Sequence, residues 1–192
     1  VIIGIPDSDT DNNNYYNAMR IIGNGSGVYR KRHLVPFGEY TPLRFIVDPV
    51  MRYFDIPMSD LSAGHTLQTP LTAQHITIAP FICYEIAYPR EALKIAKDKQ
   101  LIIVINDDSW FGNSLASGQQ VEMAQMRALE TSRYVLYASN TGVTTIISPS
   151  GKQLVSAPEN VFTVLNGEIY AMQGNTPLTH YGYYPLLAIM II

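Results

Sequence analysis

A single cysteine, Cys83, lies among 192 residues, and its neighbours decide what a lone thiol can do. The apolar run Ile76-Thr77-Ile78-Ala79-Pro80-Phe81-Ile82 leads into it and reads as a mostly buried strand. Glu85, Pro89, Arg90 and Glu91 follow and open a helical pattern. A thiol at such a strand-to-helix turn stands at a sheet edge, beside backbone N–H groups that can hold an oxyanion. That is the setting of a nucleophile which forms a covalent intermediate. The plainer alternative is a small buried hydrophobe, the commoner fate of a free cysteine.

Two other stretches carry chemistry. Arg30-Lys31-Arg32-His33 runs directly into Leu34-Val35-Pro36-Phe37, which must be buried. A basic run is usually a solvated face, but at least one of these cations must sit near the core, where a lysine needs a partner or a task. Glu39 lies eight residues after Lys31, beyond Pro36 and Gly38, where the chain can turn it back. Downstream, the fully apolar Leu101-Ile102-Ile103-Val104-Ile105 has the composition of a central strand covered on both faces. It opens into the polar loop Asn106 to Ser114, which holds the sole tryptophan, Trp110. Loops at the ends of buried strands are where sites are built. His33, His65, His75 and His180 are scattered without ligand spacing, so neither a metal nor another cofactor is expected.

Hydrophobic residues make up 47% and charged residues 15% of the chain, a globular composition whose low charge suits an apolar partner surface. The net charge of −3 argues against a nucleic-acid partner. Val1 to Ile5 reads as a strand, Asp7 to Asn14 as a polar loop, Tyr15 to Ile22 as a strand and Gly23 to Gly27 as a hairpin turn. Residues 41–70 hold four prolines and little periodicity, the pattern of a lid or binding loop. Leu43 to Tyr53 could hold a short helix there. Phe45, Met51, Tyr53, Phe54, Ile56, Met58 and Leu61 would give the lid an apolar face. Helices are expected over Pro89–Lys99 and Gln119–Arg133, and strands over Tyr134–Ser139, Val143–Ile147 and Val161–Tyr170. The run Tyr183 to Ile192 is shorter than the roughly 20 apolar residues of a membrane span. It reads as a terminal strand or as the first turns of a spanning helix. The α/β order predicts sheets packed face to face with helices outside.

Several blocks together resemble the nitrilase-like domain of the apolipoprotein N-acyltransferases: Lys31 to Glu39, Phe54 to Ser59, Ile82-Cys83-Tyr84-Glu85, Asn106 to Gly112, Met126 to Glu130, Asn140 to Thr144 and Ser148 to Gly151. The resemblance implies an α/β fold of the αββα sandwich type and a Glu-Lys-Cys catalytic set. Cys83 matches the nucleophile, Lys31 the catalytic lysine, Glu39 a further essential glutamate and Glu85 one beside the nucleophile. Tyr84 and Trp110 match aromatic positions near the site. The activity so implied moves an acyl chain from a phospholipid to the cysteine as a thioester. The acyl chain then passes to the α-amino group of a diacylglyceryl-cysteine apolipoprotein, on the periplasmic face of the bacterial inner membrane. Lys31 and a backbone N–H would hold the oxyanion, while Glu39 and Glu85 would orient the lysine or handle protons on the amine.

One departure from the family pattern stands out. The family's general base, a glutamate, precedes the lysine, whereas Asp7, Asp9 and Asp11 are the only acids before Lys31 here. The expectation is therefore a piece of the enzyme, lacking the first strand and helix of the sandwich and inactive by itself. Residues 1–182 would be catalytic domain and 183–192 the start of a membrane helix. Two rivals remain: a soluble carbon–nitrogen hydrolase (an amidase or nitrilase), and a non-catalytic remnant.

Overall fold

The computed structural model describes residues 1–9, 13–43, 60–112 and 114–191. Strands β1 (Ile2–Asp9), β2 (Asn14–Ile21) and β4 (Val28–Arg30) form an antiparallel sheet in the order β1-β2-β4. Asp7, Ser8, Asp9 and Asn14, expected in a loop, are instead paired strand residues. Cation partners make this possible for Asp7, whose carboxylate accepts from Arg20 Nη2 at 3.1 Å and Arg30 Nε at 2.8 Å. The expected glycine-rich turn follows β2, and within it β3 (Gly25–Ser26) crosses to pair with β5 (Leu71–Ala73) of the second sheet. Only a glycine fits at position 25, because a Cβ there would run into the Thr72 carbonyl oxygen.

The second sheet has seven strands in the order β10-β9-β8-β7-β6-β5-β3. Its centre is parallel: β6 (Ile76–Ile82), β7 (Leu101–Asn106) and β8 (Val135–Ser139). Strands β9 (Thr144–Ile147) and β10 (Gln153–Ala157) continue it antiparallel. Helix α1 (Pro89–Ala96) links β6 to β7, and α2 (Ala116–Thr131) links β7 to β8. Both begin and end within a few residues of expectation; Ser132, at φ +52°, stops α2. The unbroken apolar run of β7 is explained by burial on both faces. Ile102 and Val104 pack with Phe81, Ala92, Ala124 and Ala128 under the helices. Leu101 and Ile103 pack with Met19, Ile21, Tyr29 and Ile78 between the sheets. Alanine on the helices leaves no side chain in the way, so they sit close on the sheet. The described residues thus supply both sheets and one helical layer of the sandwich.

Two further expectations change. Val161–Tyr170 forms no strand; the main chain is tied at its flanks, Asn160 N–H donating to Thr141 O and Met172 N–H to Gln100 O, and Ile169 packs on the core. Val161, Phe162 and Val164 all face solvent, so its first half has no buried face to fix a strand register. The terminal run is helical, with α3 (Pro177–Tyr181) followed by α4 (Tyr184–Ile191). Among the described residues no helix is long and apolar enough to cross a membrane. Apart from Leu61, the expected lid side chains, and the short helix proposed over Leu43–Tyr53 beyond its first residue, lie outside the described residues.

Candidate active site

Strand β6 ends at Ile82, and the chain turns sharply at Cys83, φ +54°, into the 3-10 turn Cys83–Ala87. That left-handed conformation costs a non-glycine residue about 1–2 kcal/mol, so the surrounding contacts must impose it. Because β6 and β7 are parallel and Ile82 pairs with Ile105, both strands deliver their following residues to one sheet edge. Cys83 is half-buried there. Burial pushes its thiol pKa up. The Lys31 charge is the main opposing influence, followed by a hydrogen bond from the Tyr84 N–H, while the Glu39 and Asp108 charges push it further up.

Lys31 emerges from β4 with its main chain clamped: its N–H donates to Asn17 O at 2.8 Å and its carbonyl accepts from Gly64 N–H at 2.8 Å. The side chain is 1% exposed. Its ammonium reaches both oxygens of Glu39, at 2.9 and 2.8 Å, as a buried cation needs. The eight-residue separation closes through a tight turn in which Gly38 N–H and Glu39 N–H both donate to Val35 O. Glu39 is itself fixed, accepting from Asn17 Nδ2 at 2.7 Å and Val35 N–H at 2.8 Å. One strand residue, Asn17, therefore positions both members of the pair.

Glu85 sits elsewhere. It is buried, and its Oε1 accepts from Tyr29 Oη (2.9 Å), Arg32 N–H (2.8 Å) and His33 N–H (3.2 Å). Its Oε2 accepts from Ile82 N–H at 2.9 Å. Burial raises its pKa and these four bonds oppose the rise; burial and Glu85 together push Tyr29 up strongly. Glu85 makes no hydrogen bond to Lys31. It ties the residue before Cys83 to the main chain after Lys31, so the Cys83 turn and the lysine strand share one buried carboxylate.

Tyr84 is half exposed and Trp110 is 79% exposed, each just past the end of its parallel strand. Tyr84 meets Tyr88 edge-on at 5.6 Å, and Tyr88 stacks on His33 at 4.4 Å. The Trp110 loop is anchored from beneath by Asp108, which is 3% exposed. Its carboxylate accepts from Asn106 Nδ2, from Ser117 Oγ at 3.1 Å and from Ser139 Oγ at 2.9 Å. Asn17, Tyr29 and Asp108 were not singled out in the sequence. The signal for Asn17 was a polar residue at an inward position of an alternating strand. For Asp108 it was an acid immediately after an all-apolar run. Among the described residues no three His, Cys, Asp or Glu side chains gather into a metal site.

The comparisons with known proteins fit this architecture. Solved structures of like fold include yeast Nit3, a member of branch 10 of the nitrilase superfamily (TM-score 0.57, 19% identity, 81% of this chain and 54% of that one). Another is the glutamine-dependent NAD+ synthetase of Acinetobacter baumannii (TM-score 0.60, 14% identity, 82% and 29%). Among sequences, the chain is 52% identical over all 192 residues to the apolipoprotein N-acyltransferase of Coxiella burnetii. It is 41% identical over 189 residues to that of Pseudomonas paraeruginosa. The chain spans 40% and 37% of those two relatives' lengths. The sequence pattern of the carbon–nitrogen hydrolases matches residues 1–174, and the chain belongs to that family.

Proposed function

We propose that the protein carrying this chain is an N-acyltransferase of lipoprotein maturation, with Cys83 as nucleophile, Lys31 as oxyanion donor and Glu39 as the group that fixes the lysine. Similarity to apolipoprotein N-acyltransferases over nearly the whole of this chain supports the reaction class. The observation that carries the residue roles is the buried Lys31–Glu39 pair, whose cation is the largest electrostatic pull on the Cys83 thiol. In the first step the thiolate attacks the ester carbonyl of a phospholipid, and negative charge develops on the carbonyl oxygen. The Lys31 ammonium and a backbone N–H of the Cys83 turn stabilise that charge. The ester C–O bond breaks, the alkoxide leaves as lysophospholipid with a proton, and the acyl group stays on sulfur. In the second step the α-amine of the apolipoprotein attacks the thioester, the C–S bond breaks and the thiol is restored with an amide as product.

Burial favours the neutral thiol, so a base must take its proton. The resemblance implies a glutamate preceding Lys31 in the longer protein. Glu85 is assigned to positioning, since three main-chain N–H groups and the Tyr29 hydroxyl already occupy its carboxylate. Tyr84 and Trp110 are assigned to the acyl or lipid side of the edge, where exposed aromatic rings suit an amphipathic substrate. The resemblance to the apolipoprotein N-acyltransferases extends the reading to the bacterial inner membrane, with this domain on its periplasmic face and residues 183–192 leading into a membrane helix.

The test is intact-mass analysis of the full-length protein after incubation with phospholipid. Wild type should gain one acyl mass, and hydroxylamine should remove it. Cys83→Ala should gain none and should lose acyl transfer to a diacylglyceryl peptide. Transfer that survives Cys83→Ala would remove the thioester route; ammonia released from small amides would favour the amidase reading.

A further inference from the structure

One run of chain, residues 61–68, is hydrogen-bonded to the main chain of both members of the buried pair. Leu61 N–H donates to Glu39 O at 2.9 Å, Ser62 N–H to Tyr15 O at 2.7 Å and Gly64 N–H to Lys31 O at 2.8 Å. Gln68 then holds the residue before the lysine at two points. Its Oε1 accepts from Arg30 N–H at 2.7 Å, and its Nε2 donates to Arg30 O at 2.8 Å and to His65 O at 3.0 Å. Strand β4 ends at Arg30 and is the outer strand of its sheet, with β2 on one side only. Lys31 N–H turns inward to Asn17 O, so the Arg30 N–H and carbonyl face the open edge. The Gln68 amide supplies there the acceptor and donor that a further strand would bring. Of residues 65–70, Gln68 alone is partly buried, and Leu67 is 92% exposed, so apolar packing does little to hold this part of the run. Gly64 lies so close that a Cβ there would collide with Arg30 O.

We infer that Gln68 is a positioning residue for Lys31: its amide fixes the Arg30 peptide groups, and with them the point from which the lysine side chain sets out. The inference rests on the reading of Lys31 as the catalytic cation. A lysine stem is flexible, so its ammonium is placed by its root as well as by the Glu39 carboxylate. Small displacements matter at a reacting centre, and the Lys31 charge is the largest pull toward thiolate on Cys83, against burial, Glu39 and Asp108. Other contacts hold the Arg30 side chain, namely Asp7 at 2.8 Å and the Tyr16 ring at 4.2 Å. They secure the guanidinium, several bonds away from the peptide, and leave the main-chain groups to Gln68.

The experiment follows iodoacetamide alkylation of Cys83 against pH in the full-length protein, read on the peptide that carries it, together with acyl transfer to a diacylglyceryl peptide. Gln68→Ala should raise the alkylation midpoint by about 0.5 pH unit or more. It should lower kcat about tenfold with little change in KM. Gln68→Met keeps the side-chain length without the bonds and should act alike, with urea unfolding confirming the fold of both. The double variant decides the route: in a Lys31→Met background, Gln68→Ala should add nothing, because its effect passes through the lysine. A merely structural role would show its effect in either background. A midpoint raised by neither Gln68 variant, or the same rise in the Lys31→Met background, overturns the proposal. So does an unchanged kcat in a protein that Cys83→Ala inactivates. Transfer that survives Cys83→Ala removes the acyl-transfer reading instead, and the alkylation cycle then decides the role of Gln68 alone.

Discussion

Cys83 and Lys31 are coupled through opposing fields. Burial, Glu39 and Asp108 favour the thiol, while Lys31 and the Tyr84 N–H favour the thiolate. Alkylation by iodoacetamide, which follows thiolate, should therefore reach half its maximal rate above the ordinary thiol range. Lys31→Met removes a cation and should move that midpoint higher. Glu39→Gln removes an anion while keeping an oxygen for Lys31, and should move it lower. A midpoint raised by Glu39→Gln would mean that Glu39 matters to Cys83 only by holding the lysine in place. Glu85→Gln probes the other carboxylate. An amide oxygen at Oε1 keeps three donors, but the NH2 group then faces the Ile82 N–H. One buried donor is orphaned, and the expected loss is about 1–3 kcal/mol of stability, read from urea unfolding. Faster alkylation of Cys83 should accompany it, since Ile82 is the residue just before the thiol. Cys83, Lys31, Glu39 and Glu85 were all visible as residue types in the sequence. Their division into a lysine–glutamate pair and a separate backbone clamp was not, because local sequence does not show which donors a buried carboxylate will meet.

The elements that bring these residues to one edge are two parallel βα units. The apolar runs of β6 and β7, the proline at the start of α1 and the uninterrupted pattern of α2 predict them. The loop after β7 is held by a contact that no pattern announces. Gly142 lies so close to Asp108 and Ser117 that a Cβ there would overlap the Asp108 carboxylate. Gly142→Ala should push Asp108 off Ser117 and Ser139 and loosen the Trp110 loop. Limited proteolysis should then cut within residues 107–115 sooner than in wild type, at temperatures where the fold persists. The expected strand over Val161–Tyr170 fails for a complementary reason. Its β-branched and aromatic residues satisfy propensity, yet pairing and burial decide a strand, and Phe162 finds neither.

Across the whole molecule, the lysine comes from the small sheet and the cysteine from the large one, so the site exists only while the two sheets stay packed. Met19, fully buried between them, makes that packing testable. Met19→Ala should cost about 2–5 kcal/mol in denaturant unfolding. It should also reduce Cys83 reactivity at a pH where the fold is intact, since the Lys31 charge that favours the thiolate would no longer be fixed in place. Stability loss with unchanged alkylation kinetics would mean that the site is rigid independently of the sheet interface.

By itself the sequence determined the α/β class, the central strands, the two crossover helices and the residues able to do chemistry. These follow from local propensity, apolar periodicity and side-chain type, which each segment carries with it. The tertiary structure alone decided that Asn17 serves both Lys31 and Glu39 and that Glu85 answers to four donors from two segments. Those arrangements depend on where separate segments meet, and hydrogen-bond geometry and desolvation are fixed only once they have met.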